Sequence, residues 1–147
     1  MKPDFVHILL ADDDPDDRLL TAEAFVEARL ANQLHTVEDG VELMDFLHRR
    51  HPYTTHTPRP GLILLDLNMP RKDGRQALAE IKNDPDLAHI PVVVLTTSAE
   101  EEDILRTYGL GANSYITKPV TFEGLVHAVG VLGQYWFSLV DLPAESR

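Results

Sequence analysis

The sequence contains no cysteine, which excludes disulfides, thiolate nucleophiles and metal–thiolate centres. No apolar run approaches the roughly 20 residues that a bilayer-spanning helix needs. The opening stretch, MKPDFVHILLADDD, carries one lysine and reaches acid too early for a secretory signal. Together these features lead to an expected cytoplasmic location. Positive charge is scarce: 13 Lys and Arg stand against 24 Asp and Glu, for a net charge of −11. Such a chain is repelled by DNA, RNA and anionic membrane, so its expected partners are proteins and cations. Internal repeats and low-complexity tracts are also missing. The 147 residues, 44% of them hydrophobic, suit a single compact domain with a sizeable core.

Short apolar runs alternate with longer segments of helical period. FVHILLA (5–11), LHTVE (34–38), LILLD (62–66), PVVVLT (91–96) and NSYITK (113–118) read as strands. The third lacks polar–apolar alternation, which predicts burial on both faces. Leu19, Ala22, Val26 and Leu30 mark a first helix face, with Asp14 as cap, Pro15 in the first turn and Asp16 and Asp17 favouring its positive end. Val41, Met44 and Leu47 mark a second helix, and Ala77, Leu78 and Ile81 a third. Residues 98–111 form a fourth, with an acidic first turn. A fifth starts at Phe122 and runs through Leu125, Val126, Val129, Leu132, Gly133 and Trp136. Residues 49–60, rich in proline and threonine, predict a loop. Strict alternation of strand and helix predicts an α/β fold: a doubly wound, five-stranded parallel sheet with five helices and an extended C-terminal helix.

In such sheets, sites lie beyond the carboxyl ends of the strands. There the sequence places Asp12 and Asp13, Asp66, Thr96 and Lys118. Three adjacent carboxylates repel one another and raise each other's pKa, so they persist by sharing a positive partner. An all-oxygen donor set suits a hard dication, and Mg²⁺ keeps open positions for a phosphoryl oxygen. Lys118 adds a fixed charge and Thr96 a hydroxyl donor, completing a trap for a phosphoryl group. Asp66, at the end of an apolar run and ahead of turn residues, is the best candidate nucleophile.

Taken in order, Asp12–Asp13, LLDLNMPRKDG around Asp66, Thr96 in VVVLTTS, and GANSYITKP with Tyr115 and Lys118 resemble the receiver domain of two-component response regulators, a flavodoxin-like fold. The resemblance covers about residues 5–133, leaving 134–147 as an aromatic C-terminal extension. It implies that Asp66 accepts a phosphoryl group from a sensor histidine kinase. It further implies that Asp13, Asp66 and the backbone carbonyl of Asn68 bind Mg²⁺, with Asp12 acting through water. Thr96 and Tyr115 are implied as the switch, the hydroxyl moving toward the phosphate and the ring turning inward. A cis Lys118–Pro119 bond is implied as well. LLDLNMPRKDGR, LTTSAEEEDI and GQYWFSLVDLP resemble more closely the stand-alone regulators that partner phytochrome-type (bacteriophytochrome) kinases, in which the last helix and its aromatic extension help to form a homodimer. Tyr135, Trp136 and Phe137 are the expected interface residues, because YWFSLV leaves little polar surface. Thr97 stands where many relatives carry Ala or Gly, and Asn68 and Ser98 stand where relatives tune hydrolysis.

Two enzyme-like or carrier readings share the architecture. A Mg²⁺-dependent phosphatase with an aspartyl-phosphate intermediate would place an acid two residues after the nucleophile, where this chain has Asn68. A flavin mononucleotide carrier needs a hydroxyl- and glycine-rich first loop, where this chain has ADDDPDD. The expectation is therefore a regulator that promotes only its own phosphorylation and dephosphorylation. His48, His51 and His56 lie at irregular spacing in or beside a loop and read as solvated residues rather than metal ligands.

Overall fold

The computed structural model describes residues 7–98 and 100–134. The elements alternate without exception: β1 (Ile8–Ala11), α1 (Pro15–Glu27), β2 (Leu34–Val37), α2 (Gly40–Leu47), β3 (Leu62–Leu65), α3 (Gly74–Asn83), β4 (Val92–Thr96), α4 (Glu101–Gly109), β5 (Ser114–Thr117) and α5 (Phe122–Gly133). All strand pairings are parallel, in the order β2-β1-β3-β4-β5. The predicted sheet and helix sequence is therefore the observed one, and the loop predicted over 49–60 lies within the connection 48–61 between α2 and β3.

The absence of alternation in the strands has a simple cause. Every residue of β1, β3 and β4 is buried. Ile8 and Leu10 point into a core shared with Ala24, Phe25, Leu125, Val129 and Leu132 of α1 and α5. Leu9 and Ala11 point the other way, into a larger core with α2 and α3. A sheet covered on both faces needs apolar residues at every position.

α1 corrects one expectation. Leu19 and Val26 are 59% and 76% exposed, whereas Thr21, Ala24 and Phe25 are buried. Both sets have helical spacing, so periodicity alone could not choose between them. Packing of Ala24 and Phe25 against α5 selects the buried set, and Thr21 tolerates burial because its hydroxyl donates to the Asp17 carbonyl at 2.8 Å. Leu30 lies beyond the helix end and packs against Gly133 of α5. The cap is as expected: the Asp14 carboxylate accepts from the amides of Asp16 and Asp17.

α4 is shorter than expected, starting at Glu101 rather than residue 98. Its N-cap, Glu100, makes no side-chain cap bond. Among the described residues, α4 contributes none to either hydrophobic cluster. It is the helix held least by its own core contacts.

Candidate functional site

The chain order reverses between β1 and β3, its two central neighbours. In open α/β sheets a crevice opens beyond the carboxyl ends of the strands at such a point. Ala11 and Leu65 are paired in register, so the next residues, Asp12 and Asp66, emerge side by side. The Asp66 amide donates to the carbonyl of Ala11 at 2.9 Å, tying the two loops together.

Asp12 and Asp66 are buried, at 0% and 6% exposure, and Asp13 is exposed. One carboxylate oxygen from each lies within 4.8 Å of the others. The Thr96 hydroxyl donates to Asp66 Oδ1 at 2.8 Å from the end of β4. Lys118 follows β5, anchored by its amide on the Thr96 carbonyl. Its ammonium donates to Asp12 Oδ2 at 2.6 Å, Asp17 Oδ2 at 2.9 Å and Asp66 Oδ2 at 3.2 Å. All the predicted acids, the hydroxyl and the amine thus converge on one point.

Asp17 is the helix-start acid that the sequence predicts, and the structure gives it a second role that sequence reasoning missed, a hydrogen bond from Lys118. The available signal was its i,i+4 relation to Thr21, which lies on the buried face of α1. Asp14, by contrast, is committed to capping, and only its amide touches the cluster, through Asp12 Oδ1 at 3.0 Å.

Three carboxylates therefore meet a single ammonium, and a fourth, Asp13, adjoins Asp12 and Asp66. Burial opposes the Lys118 charge, but hydrogen bonds to Asp12 and Asp17 and the charge of Asp66 outweigh it and hold the lysine above its ordinary pKa. Burial pushes the Asp12 carboxyl up, against the lowering pull of Lys118 and of the Asp14 amide. An ammonium facing three carboxylates stays charged, and the surplus of buried acid favours a second cation. The donor set is all oxygen, at a partly open rim, and fits a hard dication that retains water.

The loop bearing Asp66 is fixed from both sides. A Cβ at Gly74 would stand 2.2 Å from the Asp66 carbonyl oxygen, so α3 starts in direct backbone contact with it. Arg71, at a left-handed φ of 64°, reaches Asp39 with hydrogen bonds of 2.8 and 3.1 Å. Gly40 is required beside it, because a Cβ there would lie 2.2 Å from the Lys72 carbonyl oxygen. Neither anchor was visible in the sequence, since its partners lie 32 residues apart.

Tyr115 is half-buried against the larger core, and its hydroxyl donates to the Ser98 carbonyl at 2.7 Å. Asn68 is exposed, and its amide approaches Asp66 Oδ1 at 3.3 Å. Thr97, Asn68 and Ser98 line a polar cleft of about 560 Å³ beside the site. The Lys118–Pro119 bond is not cis, contrary to expectation; the cis bond among the described residues is His51–Pro52. Trans is intrinsically favoured by about 0.5–1 kcal/mol at such bonds. His48 meets Asp84 at 3.5 Å, and no histidine joins a metal-competent cluster among the described residues. Tyr135, Trp136 and Phe137 lie outside the described residues.

The geometry offers a carboxylate nucleophile with a hydroxyl donor on one oxygen, an ammonium on the other, and a cation site adjoining. Comparison with known proteins points the same way. Residues 8–130 match the family model of the response regulator receiver domain. The response regulator Rcp1 of Synechocystis sp. is 44% identical over 93% of this chain and 92% of its own length. The phosphorylated cyanobacterial phytochrome response regulator RcpA superposes with a TM-score of 0.89 at 44% identity, covering 95% of this chain and 99% of its own. The Mn²⁺-bound form of Rcp1 gives 0.86 at the same identity and coverage.

Proposed function

This chain belongs to the response regulator receiver domain family, and from that premise we propose that it is a stand-alone response regulator of a two-component phosphorelay. Asp66 is the phosphoacceptor. A phosphohistidine on a sensor histidine kinase is the donor, of phytochrome type by analogy with the named relatives. The observation that carries this reading is the surrounding of the Asp66 carboxylate. Thr96 donates to one of its oxygens and Lys118 to the other, beside two further acids.

In the transfer, one Asp66 oxygen forms a bond to phosphorus while the phosphorus–nitrogen bond of the donor breaks and the imidazole takes up a proton. Asp66 needs no base, because a carboxylate is already the nucleophile. Lys118 and the Thr96 hydroxyl stabilise charge on the phosphoryl oxygens, where fixed donors act most strongly. Asp13, Asp66 and the Asn68 carbonyl would hold Mg²⁺, with Asp12 acting through water, and the ion would supply neutralisation of phosphoryl charge. The Mn²⁺-bound relative supports the binding of a divalent cation. Thr96 and Tyr115 then report the phosphoryl group to the surface around α4 and β5, changing which protein is bound.

The chain's chemistry, on this reading, is confined to its own phosphorylation and dephosphorylation. Residues 1–147 form one receiver domain with a core of about 5–133. The extension at 134–147 pairs two copies through Tyr135, Trp136 and Phe137, away from nucleic acid and membrane. The protein acts in the cytoplasm; among the described residues no helix is long and apolar enough to cross a membrane. The test is transfer of radiolabel from a phosphorylated phytochrome-type kinase. Wild type takes up label and Asp66→Asn does not; equal uptake by the variant contradicts the assignment.

A further inference from the structure

Beyond the residues that touch the phosphoryl position, a second charged group lines the polar cleft beside the site. Arg75, in the first turn of α3, donates through Nε to Asp103 Oδ1 at 2.8 Å and through Nη2 to Asp103 Oδ2 at 2.7 Å. Its third nitrogen, Nη1, donates to Asp73, the cap of α3, at 3.0 Å. The root of Arg75 is set by the loop carrying Asp66, because Gly74 lies against the Asp66 carbonyl. Its tip grips α4.

Asp103 does more than pair with Arg75. Its Oδ2 also accepts from the Ser98 hydroxyl at 2.7 Å. The carbonyl of the same Ser98 receives the Tyr115 hydroxyl. Two residues earlier in the chain, Thr96 donates to Asp66. Ser98 is thus held by its side chain from Asp103 and by its carbonyl from Tyr115. The turn between β4 and α4 has no other comparable restraint among the described residues: Glu100 caps nothing with its side chain, and α4 joins neither hydrophobic cluster.

We propose that Arg75 and Asp103 are positioning residues for the phosphoryl site. Their ion pair holds the β4–α4 turn so that the Ser98 carbonyl can keep Tyr115 inward and Thr96 stays aimed at Asp66. The pair thereby sets how tightly a phosphoryl group is retained. Both side chains are well covered, at 16% and 14% exposure, and the bidentate geometry is the strong form of such a pair. The inference rests on Asp66 being the phosphoacceptor, and the experiment separates the two ideas.

Beryllofluoride, a phosphoryl mimic, is titrated into Mg²⁺-loaded wild type, Asp66→Asn, Asp103→Asn, Arg75→Ala and the Asp103→Asn/Arg75→Ala double variant. Tyrosine ring resonances are followed by NMR before any addition. The expected result is about a tenfold weaker capture in each single variant, equivalent to ~1.4 kcal/mol, with the double variant no worse than either single one. Mg²⁺ affinity should not change, which separates positioning from general destabilisation. The Tyr115 ring signal should move in Asp103→Asn while that of Tyr53, hydrogen-bonded to Glu42, stays. Wild-type capture in the single variants, or an unmoved Tyr115 signal, overturns the clamp. Failure of wild type itself to capture beryllofluoride overturns the phosphoacceptor assignment, and the Tyr115 signal then still decides the clamp.

Discussion

Lys118 governs the electrostatics of the site at the scale of single residues. Its side chain is 11% exposed, and the Asp12 and Asp66 side chains that it meets are 1% and 8% exposed. Removing one partner from a buried charge cluster leaves the others uncompensated, at a cost of about 3–5 kcal/mol. Lys118→Met should therefore lower stability by about that amount in urea unfolding without divalent cations. Added Mg²⁺ should restore part of the loss by binding the folded state. A variant as stable as wild type would contradict the picture of acids held together by this amine. Asp17 is a lesser partner, because its side chain is 34% exposed. Asp17→Asn should change stability by less than about 1 kcal/mol. It should nonetheless strengthen beryllofluoride capture, since Lys118 then has one competing carboxylate fewer. Weaker capture in that variant would show Asp17 to be a positioning partner instead.

At the scale of elements, the start of α3 fixes the Asp66 loop and Asp103 in α4 ties down the β4–α4 turn. Gly74→Ala would set a methyl group 2.2 Å from the Asp66 carbonyl oxygen and 2.8 Å from Leu67 Cα. Backbone on both sides cannot yield as a side chain would. The expected cost is about 1–3 kcal/mol, with reduced label uptake because the loop shifts; wild-type uptake would show that the contact is slack. The Asp103 carboxyl is held down to about 2 by its hydrogen bond from Arg75, then by that from Ser98, against an ordinary value of 3.8. A depressed carboxyl stabilises the fold above its unfolded value and loses that contribution as pH falls through its folded one. The stability difference between wild type and Asp103→Asn should thus be full above about pH 4 and should shrink as pH falls toward about 2. A difference constant with pH would contradict the ion pair. These elements also mark how far sequence could be read. Strand ends were legible because runs of Leu, Ile and Val can only be buried, so the residue after each run lands at the rim. Arg75 and Asp103 were not, because 28 residues separate them and nothing local in either helix points to the other. The face of α1 was misread because both stripes are compatible with a helical period, and tertiary packing chose the one containing Thr21.

For the whole molecule, a sheet buried on both faces makes the site a rigid rim on a two-sided core. Ile63, fully buried in the larger core, should cost about 2–5 kcal/mol when changed to Ala. Site geometry should survive, so label uptake should persist in the folded fraction. The proposed pairing of two copies belongs to this scale as well. The stretch YWFSLV (135–140) is almost wholly apolar in sequence, a composition that suits an interface. Sedimentation should show a dimer for wild type and a monomer for Trp136→Ala, with phosphoryl uptake retained. A monomeric wild type would remove the pairing and leave the phosphoryl chemistry intact.

The central claim is that the Asp66 carboxylate forms a mixed anhydride with phosphate. Its most direct test is intact-protein mass spectrometry after incubation with acetyl phosphate and Mg²⁺, followed by peptide mapping. The account predicts the mass of one added phosphoryl group on wild type, mapped to the peptide bearing Asp66, and none on Asp66→Asn. No adduct on wild type, or an equal adduct on the variant, would contradict it.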